Sequence, residues 1–386
     1  MNPLPSGLTR ADFLRRSAGG LGALAAVSLL PKSLTARPVS TDSSSMGNVP
    51  IPSAATSDHP VFDLREFERW VVDEFEPSVR RPGGAGHYAR AADQPDVELY
   101  GVADMACVLY TLGLLHPSAA ERTDWAAAFA PFQRAEDGWL REKDPSHGPM
   151  HNLAFGLAGM ELLDLHPARP IRMAPEHADP RAYLATLDWK TRVYPDSHQG
   201  AGLGAVYALA PELGGRKWME AYFAACDDLF DPRNGLMGQD KPPGGDFDQV
   251  GGTFHYVFLY HHFNRRAPFP RERIDAVLGT RQPNGYWRDD NKLWLSFDAL
   301  YLLTRTLRYC PHRYDDIVAC ARQVMTNAMR DIFSPEGRAQ QFSKKVTTHS
   351  VAAALCLAAE AQLFLGIHEV VTERPLRLVL DRRPFI

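Results

Sequence analysis

The sequence predicts an all-α protein in which six helical hairpins close into an (α/α)6 toroid. Three observations carry this. A unit of amphipathic helix, glycine turn, polar stretch and second helix recurs about six times, roughly every 45–55 residues. Four of the turns share a pattern: Glu136-Asp137-Gly138-Trp139, Arg233-Asn234-Gly235-Leu236, Asn284-Gly285-Tyr286-Trp287 and Pro335-Glu336-Gly337-Arg338. The second helices, such as Ala352-Ala353-Ala354-Leu355-Cys356-Leu357-Ala358-Ala359, are apolar on most faces, as a helix surrounded by protein must be. Such hairpins bury their apolar faces only when stacked, and six of them can close on themselves. The second helices then form an inner ring and the amphipathic first helices an outer one. The loop before each inner helix points into one mouth of a central cavity.

The elements follow in order. The first hairpin starts at Asp63, a good cap for the helical spacing of Leu64, Phe67, Val71 and Val72. It turns at Pro82-Gly83-Gly84-Ala85-Gly86 and returns from Glu98 to Leu115. The second starts near Asp124-Trp125, turns at Gly138 and returns from His151 to Leu165. The third runs Ala182 to Thr191, turns at Tyr194-Pro195-Asp196 and returns from Gln199 to Leu209. The fourth runs Lys217 to Leu229, carries a Gly/Pro/Asp loop from Gly238 to Gly251, and returns from Gly252 to Phe263. The fifth runs Arg271 to Gly279 and returns from Leu295 to Leu307; the sixth runs Tyr314 to Ile332, turns at Glu336-Gly337 and returns from Thr348 to Leu365. The toroid spans 62–366, and 367–386 form a C-terminal tail lying on the ring.

Composition sets bounds. A hydrophobic fraction of 45% and a charged fraction of 23% over 386 residues suit a globular protein with a large core. With net charge −4 and no Lys/Arg stripe, nucleic acid is not an expected partner. Beyond the N-terminus no apolar run is long enough to span a bilayer. The five cysteines are an odd number without C-x-x-C spacing. Cys107, Cys226 and Cys356 read as core thiols; Cys310 and Cys320 could pair, but Cys310 precedes Pro311 and the two flank a helix start, which argues against a disulfide.

Residues 1–36 read as an export signal, and 37–61, rich in Ser, Thr and Pro, as a disordered spacer. Thr9-Arg10-Ala11-Asp12-Phe13-Leu14-Arg15 resembles a twin-arginine signal in which Ala11 replaces the second arginine. A weakly apolar run from Ser17 to Leu30 follows, and Leu34-Thr35-Ala36 suits cleavage. The expected location is periplasmic or extracellular.

Nearly every inner helix begins with ionisable residues: Tyr100 and Asp104; His147 and His151; Asp196 and His198; Asp246, Asp248 and His255; Asp289, Asp290 and Asp298; Lys344, Lys345 and His349. Equivalent positions in a ring face one cavity, so these should converge into a site for acid–base chemistry. Each also has an ordinary structural explanation. Asp at a helix start is usually a cap, and His261-His262, late in its helix, reads as packing. Trp139, Trp287, Trp294 and Tyr286 either wedge hairpins together or stack on a sugar ring or shield a carbocation. Neither a metal nor another cofactor is expected, because His147 and His151 flank Gly148-Pro149 instead of sitting together on a helix.

Gln133-Arg134-Ala135-Glu136-Asp137-Gly138-Trp139 and Gln282-Pro283-Asn284-Gly285-Tyr286-Trp287 resemble the Gln…Gly-x-Trp repeat of the terpenoid cyclase and protein prenyltransferase superfamily. Asp246-Phe247-Asp248-Gln249 is similar to the Asp-x-Asp-Asp acid of class II terpene cyclases, with Gln249 in place of the last Asp. The ring as a whole resembles the six-hairpin glycosidases and the toroidal polysaccharide lyases, which are typically exported and process glycans at the mouth of the ring. The resemblance implies an exported enzyme cleaving a poly- or oligosaccharide. A hydrolase would use two carboxylates, Asp248 and Asp298. A lyase would use His255 or His349 with Tyr100 or Tyr256, and Lys344, Lys345 or Arg281 on the sugar carboxylate. His151 and His198 complete the expected catalytic set, and Trp139, Trp287, Trp294 and Tyr256 the substrate surface. A cyclase with Asp248 as acid and a non-catalytic glycan-binding protein are the alternatives.

Overall fold

Helix formation follows the apolar spacing, and among the described residues the protein is all-α apart from one short strand pair and isolated bridges. The computed structural model describes residues 60–142, 147–288, 292–341 and 346–386. The export signal, most of the spacer, Asp289, Asp290, Lys344 and Lys345 lie outside the described residues.

The elements are β1 (Phe62–Asp63), α1 (Arg65–Trp70), α2 (Glu76–Val79), α3 (Leu99–Thr111), α4 (Ala119–Phe129), α5 (Pro149–Leu162), α6 (Pro180–Leu184), α7 (Val193–Leu209), α8 (Gly215–Asp227), α9 (Phe247–His262), α10 (Pro270–Gly279), α11 (Lys292–Leu307), α12 (Tyr314–Ala328), α13 (Pro335–Gln341), α14 (Thr348–Leu365), β2 (Val370–Val371) and α15 (Val379–Arg382). A π-helical stretch, Val71–Phe75, joins α1 to α2.

Helices α3, α5, α7, α9, α11 and α14 are the apolar second helices, and they pack in that order, with α14 returning to α3. Almost every side chain of α3 from Leu99 to Val108 is buried, as is the run Val351–Ala359 of α14. Each fully buried Val, Leu or Phe contributes about 1.5–3 kcal/mol. Helix α14 has the length and hydropathy of a membrane span, but most of it is covered by its neighbours. The amphipathic helices pack outside: α4 on α3, α8 on α7, α10 on α11, and α12 on both α11 and α14. A buried ion pair, Arg305 to Glu360 at 2.7 Å, ties α11 to α14, and Thr304 donates to the same carboxylate at 2.6 Å.

The motif turns are structural joints. Gln133 Nε2 donates to the carbonyls of Gly138 and Arg169, both at 2.8 Å, so the Gln…Gly-Trp spacing clamps the turn to the next connection. Gly138 has φ +74 and lies hard against the Pro170 carbonyl, so a side chain there would be doubly excluded.

Four elements depart from the sequence reading. The expected turn at Tyr194-Pro195-Asp196 is the first turn of α7, which begins six residues early. The Asp248 carboxylate accepts the backbone N–H of Val193 and Tyr194, both at 3.1 Å, and so satisfies orphan donors at that helix start. Pro195 in the first turn loses no helical bond. The Gly-rich loop ends early as well. Asp246 caps α9 by accepting Gln249 N–H at 2.8 Å, and Gly251 and Gly252 lie inside the helix, where Tyr194 and Val193 fill the space a Cβ would take. Glu336-Gly337, expected as a turn, belongs to α13. The third outer helix is shorter than expected, because Asp188 accepts Lys190 and Thr191 N–H at 2.9 Å in a competing local turn.

The tail also goes where hydropathy alone does not send it. β2 pairs in parallel with β1, Phe62 opposite Val370. Helix α15 then touches both α3 and α9, which stand three places apart in the cycle, so the segment enters the cycle instead of lying on it. Val379, Leu380, Arg383, Phe385 and Ile386 are buried, and Asp381 pairs with Arg305 at 2.6 Å.

Candidate functional site

His151 and His349 at the starts of α5 and α14, His198 and His255 further along α7 and α9, and His147 just before α5 bring five imidazoles into one group. His147 stacks on His151 with centroids 4.7 Å apart; His198 lies 4.9 Å from His147, 5.1 Å from His151 and 4.7 Å from His255. His349 lies 5.6 Å from His147 and 4.4 Å from the Trp294 ring. Tyr100 reaches into the group from α3, and Arg90 stands 4.7 Å over its ring. His147, His198, Trp294 and His349 are half-buried, whereas His151 and His255 form the base. Phe385 closes that base, edge-on to His151 at 5.0 Å.

The hydrogen bonds fix proton positions. The Tyr100 hydroxyl lies 2.9 Å from His147 Nδ1, 2.9 Å from His151 Nδ1 and 3.2 Å from Asn152 Oδ1. One hydroxyl proton serves one acceptor. At least one of the two imidazoles therefore carries its proton on Nδ1 and donates to the tyrosine oxygen, leaving its Nε2 as the lone-pair nitrogen. Ser197 Oγ donates to the Tyr194 carbonyl at 2.6 Å, so its 2.7 Å contact with His255 Nδ1 has the imidazole as donor. That hydroxyl is committed and is not an activated nucleophile. His349 Nδ1 lies 3.0 Å from Asp104 Oδ1, while Asp104 Oδ2 accepts from Thr348 Oγ1 at 2.9 Å. The carboxylate thus orients His349 and leaves its Nε2 as the basic nitrogen.

Burial, then mutual repulsion, holds these imidazoles neutral. The pKa falls to about 3 for His147 and for His255, and well below the ordinary value for His151 and His198. The site is a set of neutral bases around one phenol, next to one oriented His–Asp pair. Among the described residues no group of three or more His, Cys, Asp or Glu is arranged to hold a metal ion.

Of the sequence candidates, Tyr100, His147, His151, His198, His255, His349, Trp294 and Asp104 come together. The others do not. Asp248 caps α7 and pairs with Lys241 at 3.1 Å, which removes it from the expected acid or nucleophile position. Asp246 is the α9 cap. Asp196 accepts Asp188 N–H at 2.9 Å. Asp298 sits one turn below Trp294 on α11, fully buried; desolvation raises its pKa well above the ordinary value, and its Oδ2 has no partner among the described residues. Burial thus disfavours its charged form, which suits it poorly to act as a carboxylate nucleophile. Tyr256 is buried against Trp189 at 5.6 Å with its hydroxyl over Gly200, away from the imidazoles. Trp139 and Trp287 are wedges: their indoles donate to the carbonyls of Arg172 at 2.9 Å and Val277 at 2.7 Å. Arg281 lies beside Cys320 of α12.

Sequence reasoning missed Arg90, Asn152, Tyr194, Ser197 and Phe385. Asn152 and Ser197 each adjoin a candidate histidine, which is a usable signal. Arg90 and Phe385 come from segments with no repeat position to mark them. No family model, curated protein or solved structure matches the chain.

Proposed function

We propose that the helix cycle is the inner ring of an (α/α)6 toroid, and that the protein is an exported enzyme of the polysaccharide-lyase kind, acting on an acidic glycan at the imidazole-lined mouth. The observation that carries this reading is the Tyr100 hydroxyl held between His147 and His151, one aromatic contact (5.4 Å) from the Asp104-oriented His349. β-Elimination needs a base for the carbon acid, a proton donor for the leaving oxygen, and donors or a cation on the sugar carboxylate. His349 Nε2 takes the base role, the Tyr100 hydroxyl protonates the leaving oxygen, and Arg90 supplies the cation. Asn152 adds a buried amide nitrogen without a hydrogen-bond partner among the described residues.

The competing readings lose their residues. A hydrolase wants two ionised or ionisable carboxylates across the bond, whereas Asp248 is paired with Lys241 and Asp298 is buried within α11, its charged form disfavoured by desolvation. A cyclase wants a protonated acid, whereas Asp248 is ion-paired with Lys241. A purely binding surface gives no reason for five imidazoles to converge.

The test is incubation with a panel of acidic and neutral polysaccharides, read by reducing ends and by the ultraviolet absorbance of unsaturated sugars. Both signals are expected on an acidic glycan, with Tyr100→Phe lowering turnover by about 10²–10⁴-fold. Reducing ends without absorbance, or undiminished turnover in Tyr100→Phe, would overturn the proposal.

A further inference from the structure

We infer that a cleft at the C-terminal ends of α3 and α5 binds a dianionic small molecule, a phosphate monoester or a short dicarboxylate, through Arg122 and Arg377. The inference is independent of the catalytic reading.

The cleft measures about 490 Å³, within the range of roughly 300–1,000 Å³ usual for small-molecule sites. Its walls come from the end of α3 with the connection to α4, from the end of α5, and from the C-terminal tail. Tyr100, in the imidazole group, and Tyr110, in the cleft wall, are ten residues apart on α3, about 15 Å along its axis. The two sites therefore lie toward opposite ends of that helix. Backbone bonds hold the walls in place: Arg377 N–H donates to the Thr111 carbonyl at 2.8 Å, and His116 Nε2 donates to that of Gly113 at 3.1 Å.

Three guanidiniums line the cleft, and they are not alike. Arg382 is committed. It bonds the Asp164 carboxylate and donates to the Glu161 carbonyl at 3.1 Å, the ordinary service of a cation to a helix C-terminus. Arg122 and Arg377 make no ion pair and no side-chain hydrogen bond among the described residues; Arg377 lies 5.7 Å from the Tyr110 ring, and Arg122 Nε is buried without a partner. Arg122 also ends the first turn of α4, where the helix dipole favours an anion over a cation. Its neighbour Glu121 is turned to the Ser118 N–H at 2.7 Å in the capping box. Asp164 is the one carboxylate among the described lining residues, so three guanidiniums leave an excess of two positive charges. An arginine fork takes phosphate or carboxylate oxygens two at a time. A dianion thus neutralises the cleft and engages both free guanidiniums, while Leu115, Pro117 and Leu162 offer an apolar wall to a short carbon skeleton.

The experiment is calorimetric titration of the full chain with glucose 6-phosphate and with succinate, at low ionic strength and above the second phosphate pKa of about 6, with glucose as the neutral control. One saturable site is expected for at least one dianion and none for glucose; the tighter dianion separates the phosphate source from the dicarboxylate one. Arg122→Gln and Arg377→Gln should each weaken binding by about 10–100-fold. Both should unfold at the wild-type temperature, because neither side chain is hydrogen-bonded in the fold. Arg216→Gln, which alters an exposed arginine of α8 paired with Glu220, should leave the affinity unchanged. No binding of either dianion, equal binding of glucose, or full affinity in both Arg122→Gln and Arg377→Gln would each overturn the inference.

Discussion

Acidifying the protein from pH 7 to pH 5.5 should remove a large part of its stability. An imidazole in the unfolded chain titrates near 6.5. In the folded protein His147 and His255 titrate at about 3, and His151 and His198 well below the ordinary value, because burial disfavours the charged ring. Below pH 6.5 the unfolded state therefore binds protons that the folded state refuses. The stabilisation is fully present above about pH 7 and is lost progressively as pH falls through 6.5 toward 3. Integrating one such group from pH 7 to 5.5 gives about 1.2 kcal/mol, and four give about 5 kcal/mol, comparable to the whole stability of a marginal domain. His261, also held at about 3, acts in the same direction, whereas the buried carboxyls Asp298, Glu68 and Glu142, whose pKa values desolvation raises, act in the opposite one. The assay is urea denaturation at both pH values for wild type and His198→Gln. The variant should lose about 1.2 kcal/mol less on acidification. A wild-type loss below about 1 kcal/mol would refute the reasoning, since the imidazoles would then accept protons without unfolding.

Three further outcomes follow from single contacts. Asp248→Ala removes the acceptor at the start of α7 and should cost about 1–2 kcal/mol in urea unfolding while leaving turnover unchanged; a collapse of turnover in a folded variant would return Asp248 to the site. Arg305→Met strands Glu360 in the core and should cost about 3–5 kcal/mol, most of it recovered when Glu360→Met is added; equal loss in the single and double variants would contradict a buried pair. Phe385→Ala opens a cavity beneath His151 and should cost about 3–5 kcal/mol by the same measurement, whereas a loss under 1 kcal/mol would mean the tail is not part of the core.

The sequence alone was enough to read an all-α chain of repeated hairpins, because 3.6-residue apolar periodicity is a local signal. It also marked the histidines, which recur in the N-terminal halves of four second helices or at their middle, although the observed helices place His198 about one turn and His255 about two turns further in than His151 and His349. It could not separate Asp248 the cap from Asp248 the acid. Both want a carboxylate at a helix terminus, and only the approach of Val193 and Tyr194 N–H from another hairpin decides between them. Likewise Trp139 and Trp294 are both indoles near a turn; one donates to the Arg172 carbonyl and the other lies against His349. Gly251 and Gly252 read locally as a loop, yet they lie within α9, and they are glycines because two side chains of α7 occupy the space a Cβ would need. The neutrality of the imidazoles, and the entry of the C-terminal segment beneath them, arise from burial by residues distant in the chain. Periodicity records which face of a helix is buried, but not which neighbour buries it, and here the neighbour sets the chemistry.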